Sequence, residues 1–343
     1  MAQLDKVDAV FEGGGVKGIG LVGAVEHLEA AGLRFQNVVG TSAGAIVAAL
    51  VAAGYSATEL RTIMQQLDFQ RFTDLSKLDR VPLLGPALSL LREKGLYEGD
   101  YFESWLRELL AQAPRKVHTF RDLHMDDETP GSKYFYKLQV IAADISRRKQ
   151  LVLPWDIRDY GMNPEELDVA RAVRMSMSIP FFFEPVRLQN EQGETCYIVD
   201  GGVLSNFPVD ILDNGKPNPP WPTFGLKLVD RVKDDGQVHE EPSRIRGPLS
   251  MLRAMFSTMM EAHDARYIQQ KNFDRTIAIP TLGVKTTDFG LRPEKGEALR
   301  RAGMEAARRF LAEWDFQAWI QKHRLPEVLG QKAPGPDEMS ALM

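Results

Sequence analysis

The first fifty residues alternate short apolar runs with longer stretches of helical spacing. VDAVF (7–11) reads as a strand, and GIGLVGAVEHLEAAG (18–32) as a helix stopped by Gly32. FQNVVG (35–40) reads as a second strand and AGAIVAALVAAG (43–54) as a second helix ended by Gly54. Such alternation predicts an α/β fold built on a mostly parallel central sheet.

Further along, helical periodicity at 58–80 and 96–113 brackets VPLLGPALSLLREKG, which Pro82, Gly85 and Pro86 turn into a helix entry. Together they predict a helical insertion or cap over about 58–130. YFYKLQVIAADIS (134–146) and KQLVLP (149–154) read as a hairpin-like strand pair, and PEELDVARAVRMSMSIP (164–180) as a helix running into FFFEPVRL. CYIVDGG (196–202), TFGLKLVD (223–230) and RTIAIPT (275–281) are strand-like, with loops at 213–222 and 231–247. The segment 248–267 places Leu252, Met255, Phe256 and Met259 at helical spacing, read as core before acyl-channel lining. The charge pattern of 292–314 predicts a solvated amphipathic helix, and the last dozen residues predict disorder. The organisation expected is one domain over 1–315 and a partly disordered extension over 316–343.

Composition narrows the function classes. Forty-two basic residues against forty-seven acidic ones give a formal charge of −5, with no long basic block to follow a nucleic-acid backbone. The longest apolar run, AIVAALVAAG (45–54), is well short of the ~20 residues of a membrane-spanning helix. The N-terminus lacks a signal peptide's basic, apolar and small-residue succession. The single Cys196 allows no intrachain disulfide and reads as a buried apolar residue.

Candidate chemistry begins with FEGGGVKGIG (11–20), whose Gly13, Gly15 and Gly18 have the spacing of a dinucleotide-binding turn. That reading requires an acid near the end of the second strand, and none stands between Gly32 and Tyr55. Gly40-Thr41-Ser42-Ala43-Gly44 stands there instead, a Gly-x-Ser-x-Gly between strand and helix, where a sharp turn would present the Ser42 hydroxyl. Gly13 to Gly15 then offer backbone N–H groups for an oxyanion, with no side chain in the way. His27, His118, His124, His239, His263 and His323 lie in no recognisable motif. Asp200 ends an apolar strand and is followed by Gly201-Gly202, at the sheet edge where open α/β folds place their sites.

Together these residues resemble the patatin-like phospholipase family. EGGGVKG (12–18) is similar to its oxyanion loop, GTSAG (40–44) to its nucleophile elbow and DGG (200–202) to its catalytic aspartate motif. They occur in the family's order. ARAVRMSMSIPFFFEPV (170–186) is similar to the block before the aspartate, and the likeness spans about 7–310. The resemblance implies a three-layer α/β/α fold with a helical cap, Ser42 as nucleophile and Asp200 as general base. It implies an oxyanion hole from Gly13, Gly14, Gly15 and Val16, supported by Lys17, Gly18, Gly40, Gly44, Gly201 and Gly202. Glu12 departs from the family's usual Asp, with little consequence expected.

The implied reaction is hydrolysis of a phospholipid or lysophospholipid acyl ester through an acyl-serine, with no cofactor and no metal. Peripheral membrane contact and a cytoplasmic location follow as expectations, with secretion by another route, an activator and homo-oligomerisation left open. A Ser-Asp-His esterase using His263 or His323, and a silent lipid-binding module, are the alternatives.

Overall fold

The computed structural model describes residues 5–66, 99–229 and 270–324 except 287 and 289, with isolated positions at 245, 251, 254, 255 and 258. The VPLLGPALSLLREKG segment, the tail from 325, and all but those isolated positions of the 231–247 loop and the 248–267 helix lie outside the described residues.

The predicted β–α–β–α opening is present as β1 (Lys6–Phe11), α1 (Ile19–Ala30), β2 (Arg34–Thr41) and α2 (Ala43–Ala52). Then come α3 (Ala57–Gln66), α4 (Asp100–Gln112), β3 (Leu138–Asp144) and β4 (Lys149–Leu153). The chain continues through α5 (Val169–Ser176), β5 (Val186–Gln189), β6 (Thr195–Asp200), β7 (Thr223–Val229) and α6 (Gln270–Phe273). It closes with β8 (Thr276–Pro280), α7 (Pro293–Glu313) and α8 (Phe316–His323). The helix expected over 164–180 is shorter, because the Asp168 carboxylate caps α5 by accepting the Arg171 N–H at 2.8 Å. Pro180 bars its continuation at the other end.

The sheet runs β5-β6-β3-β2-β1-β7-β8, with β4 also paired to β3. β3, β2, β1, β7 and β8 are parallel, and β4, β6 and β5 join antiparallel. Alternation along β1 sends Val7, Ala9 and Phe11 into the main core with α1, α2 and α5, and Val10 to the other face. On that second face Val10, Val39 and Ile141 pack against Val209 and Leu212. Among the described residues, an irregular segment packs on this face.

α7 is the amphipathic helix expected over 292–314, with one of its charged residues inside the packed face. It buries Leu299, Arg300, Gly303 and Ala307, and it meets α1 backbone to backbone. A Cβ on Gly303 would lie 1.9 Å from the Gly20 carbonyl oxygen, and one on Gly23 would lie 1.8 Å from that of Arg300. The buried Arg300 guanidinium is neutralised by Glu297, at 2.7 and 2.9 Å, and by Glu26. The charge run disguised a packing face because its arginine is paired inside the contact.

Two glycines of α7 thus give opposite results on replacement. Gly303→Ala forces the helices apart and lowers stability by about 1–3 kcal/mol. Gly296→Ala meets only an ordinary contact, 3.6 Å from Ile19 Cδ1, and raises stability by about 0.5–1 kcal/mol through helix propensity. Thermal denaturation of the two variants checks the pair, and a stabilised Gly303→Ala would contradict the close approach.

Candidate active site

β3 brings the two predicted reactive residues together. β4 occupies one edge of β3 from Val140 to Asp144, so β2 and β6, which pair with overlapping parts of the same stretch, share the other edge. Thr41 stands opposite Ile141 and Asp200 opposite Ala142. β2 and β6 therefore meet head to head, and Ser42 and Asp200 leave the sheet at the same point.

Ser42 turns sharply from β2 into α2. Its φ of 54° and ψ of −127° lie where few non-glycine residues go, a strain on the order of 1–3 kcal/mol that the surroundings must hold. The neighbours leave no room for side chains. A Cβ at Gly40 would sit 2.4 Å from the Gly44 carbonyl oxygen, and one at Gly44 would sit 2.3 Å from that of Phe11. Ser42 is 1% exposed, its N–H donates to Ser176 Oγ at 2.8 Å, and its hydroxyl faces Met177 Sδ at 3.7 Å.

Asp200 is fully buried. Its Oδ1 accepts the Gly202 N–H at 2.8 Å, its own N–H donates to the Ser178 carbonyl at 2.9 Å, and among the described residues Oδ2 has no hydrogen-bond partner. Burial pushes its pKa up to about 7, against smaller opposing effects of the Ser42 hydroxyl and the Gly202 amide. Gly201 lets the chain pass Ile141, whose carbonyl oxygen would be 2.4 Å from a Cβ there.

The glycine loop lies over this junction. Gly13 presses on Ser42, whose Cβ would be 3.0 Å from a Cβ on Gly13. The Gly13 amide donates to the Asn206 carbonyl at 3.3 Å, and Asn206 Nδ2 returns a bond to the Gly13 carbonyl at 3.2 Å. The Val16 amide donates to the Thr286 carbonyl at 3.2 Å. Gly14 and Gly15 make no such bond among the described residues, so of the four predicted oxyanion donors two amides are open and two are committed to structure. Gly15 holds φ +55° with the Thr286 carbonyl oxygen 2.1 Å from where a Cβ would be, a position only glycine fills. Lys17 is half-buried in the turn that follows, and a Cβ on Gly18 would lie 3.1 Å from that of Ala43. Glu12 anchors the loop to β7, accepting from Lys227 Nζ at 2.7 Å and from the Leu228 amide.

Topology separates His323 from Ser42. His323 bonds Asp274 at 2.8 Å, just before β8 begins, whereas Ser42 follows the end of β2. β2 and β8 run in the same direction, so His323 sits at the opposite end of the sheet and completes no triad. His263 lies outside the described residues. Cys196 is buried, as are Phe182 and Phe183 of the FFF run. Among the described residues no group of three His, Cys, Asp or Glu side chains is placed to hold a metal, and no helix is long and apolar enough to cross a membrane.

Ser176, Ser178 and Asn206 were missed as site residues in the sequence. All three contacts run through backbone groups of partners distant in the chain, which no local spacing encodes. The only signal was that RMSMSIP and DGGVLSNFP flank the aspartate strand.

The family model for patatin-like phospholipases matches residues 9–213. The uncharacterized protein YqhO of Bacillus subtilis (strain 168) is 40% identical over 312 residues, 90% of this chain and 99% of that one. The probable lipid hydrolase 463L of Invertebrate iridescent virus 6 is 27% identical over 206 residues, 59% of this chain and 61% of its own. Among solved structures, VipD from Legionella pneumophila has the same fold, with a TM-score of 0.51 at 17% identity over 90% of this chain and 67% of that one. The chain belongs to the patatin-like phospholipase family, and with it to the lipid-cleaving hydrolases.

The raised pKa of Asp200 has a stability consequence. The folded state holds this proton up to about pH 7 and an unfolded carboxylate only to about 4, so ionisation costs stability progressively as pH rises between them. Asp200→Asn removes that cost. Its stabilisation is larger at pH 8 than at pH 5, by on the order of 2 kcal/mol, in denaturant titrations; equal effects at both pH values would contradict the assignment.

Proposed function

We propose that this protein is a serine acyl hydrolase that cleaves fatty-acyl esters of phospholipids or lysophospholipids through an acyl-Ser42 intermediate. The observation that carries the reading is the junction on β3, where the strained Ser42 and the buried Asp200 leave adjacent register positions.

Ser42 Oγ attacks the ester carbonyl and Asp200 takes its proton. A carboxylate whose pKa burial has pushed up to about 7 is basic enough to accept it, which an ordinary exposed aspartate is not. The amides of Gly14 and Gly15 receive the tetrahedral oxyanion, since those of Gly13 and Val16 are already engaged. Asp200 returns the proton to the leaving alkoxide. Water then attacks the acyl-serine with the carboxylate again as base, releasing the fatty acid. The hydroxyl's present turn toward Met177 is consistent with a resting site that tightens on substrate binding. Such substrates sit in bilayers, so the reading includes peripheral membrane contact. Lys17, beside the open amides, is assigned to steadying the loop or attracting a phosphate headgroup.

A fluorophosphonate probe and phospholipid hydrolysis test this directly. The probe labels wild type at Ser42 and leaves Ser42→Ala unlabelled. Asp200→Asn loses roughly 10³-fold or more in hydrolysis. His263→Ala and His323→Ala each stay within about two-fold of wild type. A folded but unlabelled wild type sinks the catalytic reading in favour of a silent lipid-binding module, and a dead histidine variant sinks the dyad.

A further inference from the structure

The backbone of Ser42, at its positive φ, is bonded by one hydroxyl from outside its own turn. Ser176 is the last residue of α5, fully buried, and its Oγ makes two bonds of opposite sense. It donates to the Ile141 carbonyl at 2.5 Å and accepts the Ser42 N–H at 2.8 Å. Both partners belong to the junction: Ile141 opposes Thr41, and the next residue, Ala142, opposes Asp200.

We propose that Ser176 is a positioning residue for the reaction, a hydroxyl clamp that keeps Ser42 in its strained conformer and fixes its distance from the strand edge carrying Asp200. The inference rests on the Ser42–Asp200 reading above and adds to it. A hydroxyl is suited to this place because it offers a donor and an acceptor from one atom, and here both face groups that need a partner. The Ile141 carbonyl oxygen lies at the junction, 2.4 Å from where a Cβ on Gly201 would be. The Ser42 N–H faces away from the start of α2, so the helix does not use it. Because the Ser42 N–H is occupied, it is also removed from the set of oxyanion donors, which leaves that task to the glycine loop.

The same segment also places the second reactive group. Two residues after Ser176, the Ser178 carbonyl accepts the Asp200 N–H at 2.9 Å. Arg174, buried one turn earlier, braces this stretch by donating to Ser178 Oγ at 2.5 Å and to the Glu184 carbonyl at 3.1 Å. The end of α5 is thus bonded to the backbone of both reactive residues and to the strand between them. Without the clamp, two buried backbone groups lose their partner and Ser42 is free to relax toward an ordinary φ, which turns Oγ away from the base and from the open amides.

The test is steady-state hydrolysis of a soluble fatty-acyl ester by wild type, Ser42→Ala, Ser176→Ala and Gly303→Ala, all measured well below their melting temperatures. Gly303→Ala calibrates what a loss of stability alone does. Ser176→Ala lowers kcat by 10- to 100-fold with KM within about two-fold, and slows fluorophosphonate labelling of Ser42 by the same factor. Gly303→Ala keeps its kcat. Should Ser176→Ala not fold, Ser176→Cys, with a weaker donor and acceptor on the same β-carbon, is read instead and gives an intermediate kcat at unchanged KM. Wild-type kcat in either Ser176 variant overturns the clamp, as does a loss carried only by KM. Activity persisting in Ser42→Ala would overturn the underlying reading instead, so the two failures are told apart.

Discussion

One strand edge shared by two partners governs this site. A β-strand offers two hydrogen-bonding edges, and β4 takes one edge of β3. On the other, β2 ends at Thr41 and β6 arrives from the opposite direction to end at Asp200, on consecutive residues of β3. Both chains must leave the sheet at one place, and neither has room to curve gently. The strained turn at Ser42, the close-packed Gly40 and Gly44 beside it, and Gly201 against Ile141 follow from that crowding. So does the loss of solvent at Asp200. Sheet topology, more than any single side chain, places a hydroxyl beside a desolvated carboxylate.

That desolvation is a cost the fold carries for chemistry. Asp200 is fully buried, and among the described residues one of its oxygens has no hydrogen-bond partner. The result is a carboxylate with a proton affinity close to that of an imidazole. The stabilising contacts lie away from Asp200, in the α1–α7 contact and in the Glu12–Lys227 pair that ties the glycine loop to β7.

Local features were legible in the sequence, and long-range ones were not. The alternation of VDAVF and FQNVVG with their helices located β1, α1, β2 and α2, because these elements are almost wholly buried and read as short apolar runs broken by glycines. GTSAG and DGG were legible because glycines mark where a backbone passes another closely. Three features escaped. α7 reads as solvated by charge, yet its buried arginine is paired with Glu26, 274 residues earlier in the chain. The irregular cover of the second face has no periodicity to read. Ser176 and Asn206 act on backbone groups 134 and 193 residues away, and such partners are defined only once the strands have registered. The four amides of the glycine loop are alike in sequence, and only their partners separate Gly14 and Gly15 from Gly13 and Val16.

The pH dependence of kcat/KM for hydrolysis of a soluble acyl ester reads the Asp200 carboxylate at work. With Asp200 as the base, a single acid limb has its midpoint near 7 in the free enzyme and is absent from the residual activity of Asp200→Asn. A limb near 4, or one near 7 that survives in Asp200→Asn, would show that another group accepts the proton of Ser42.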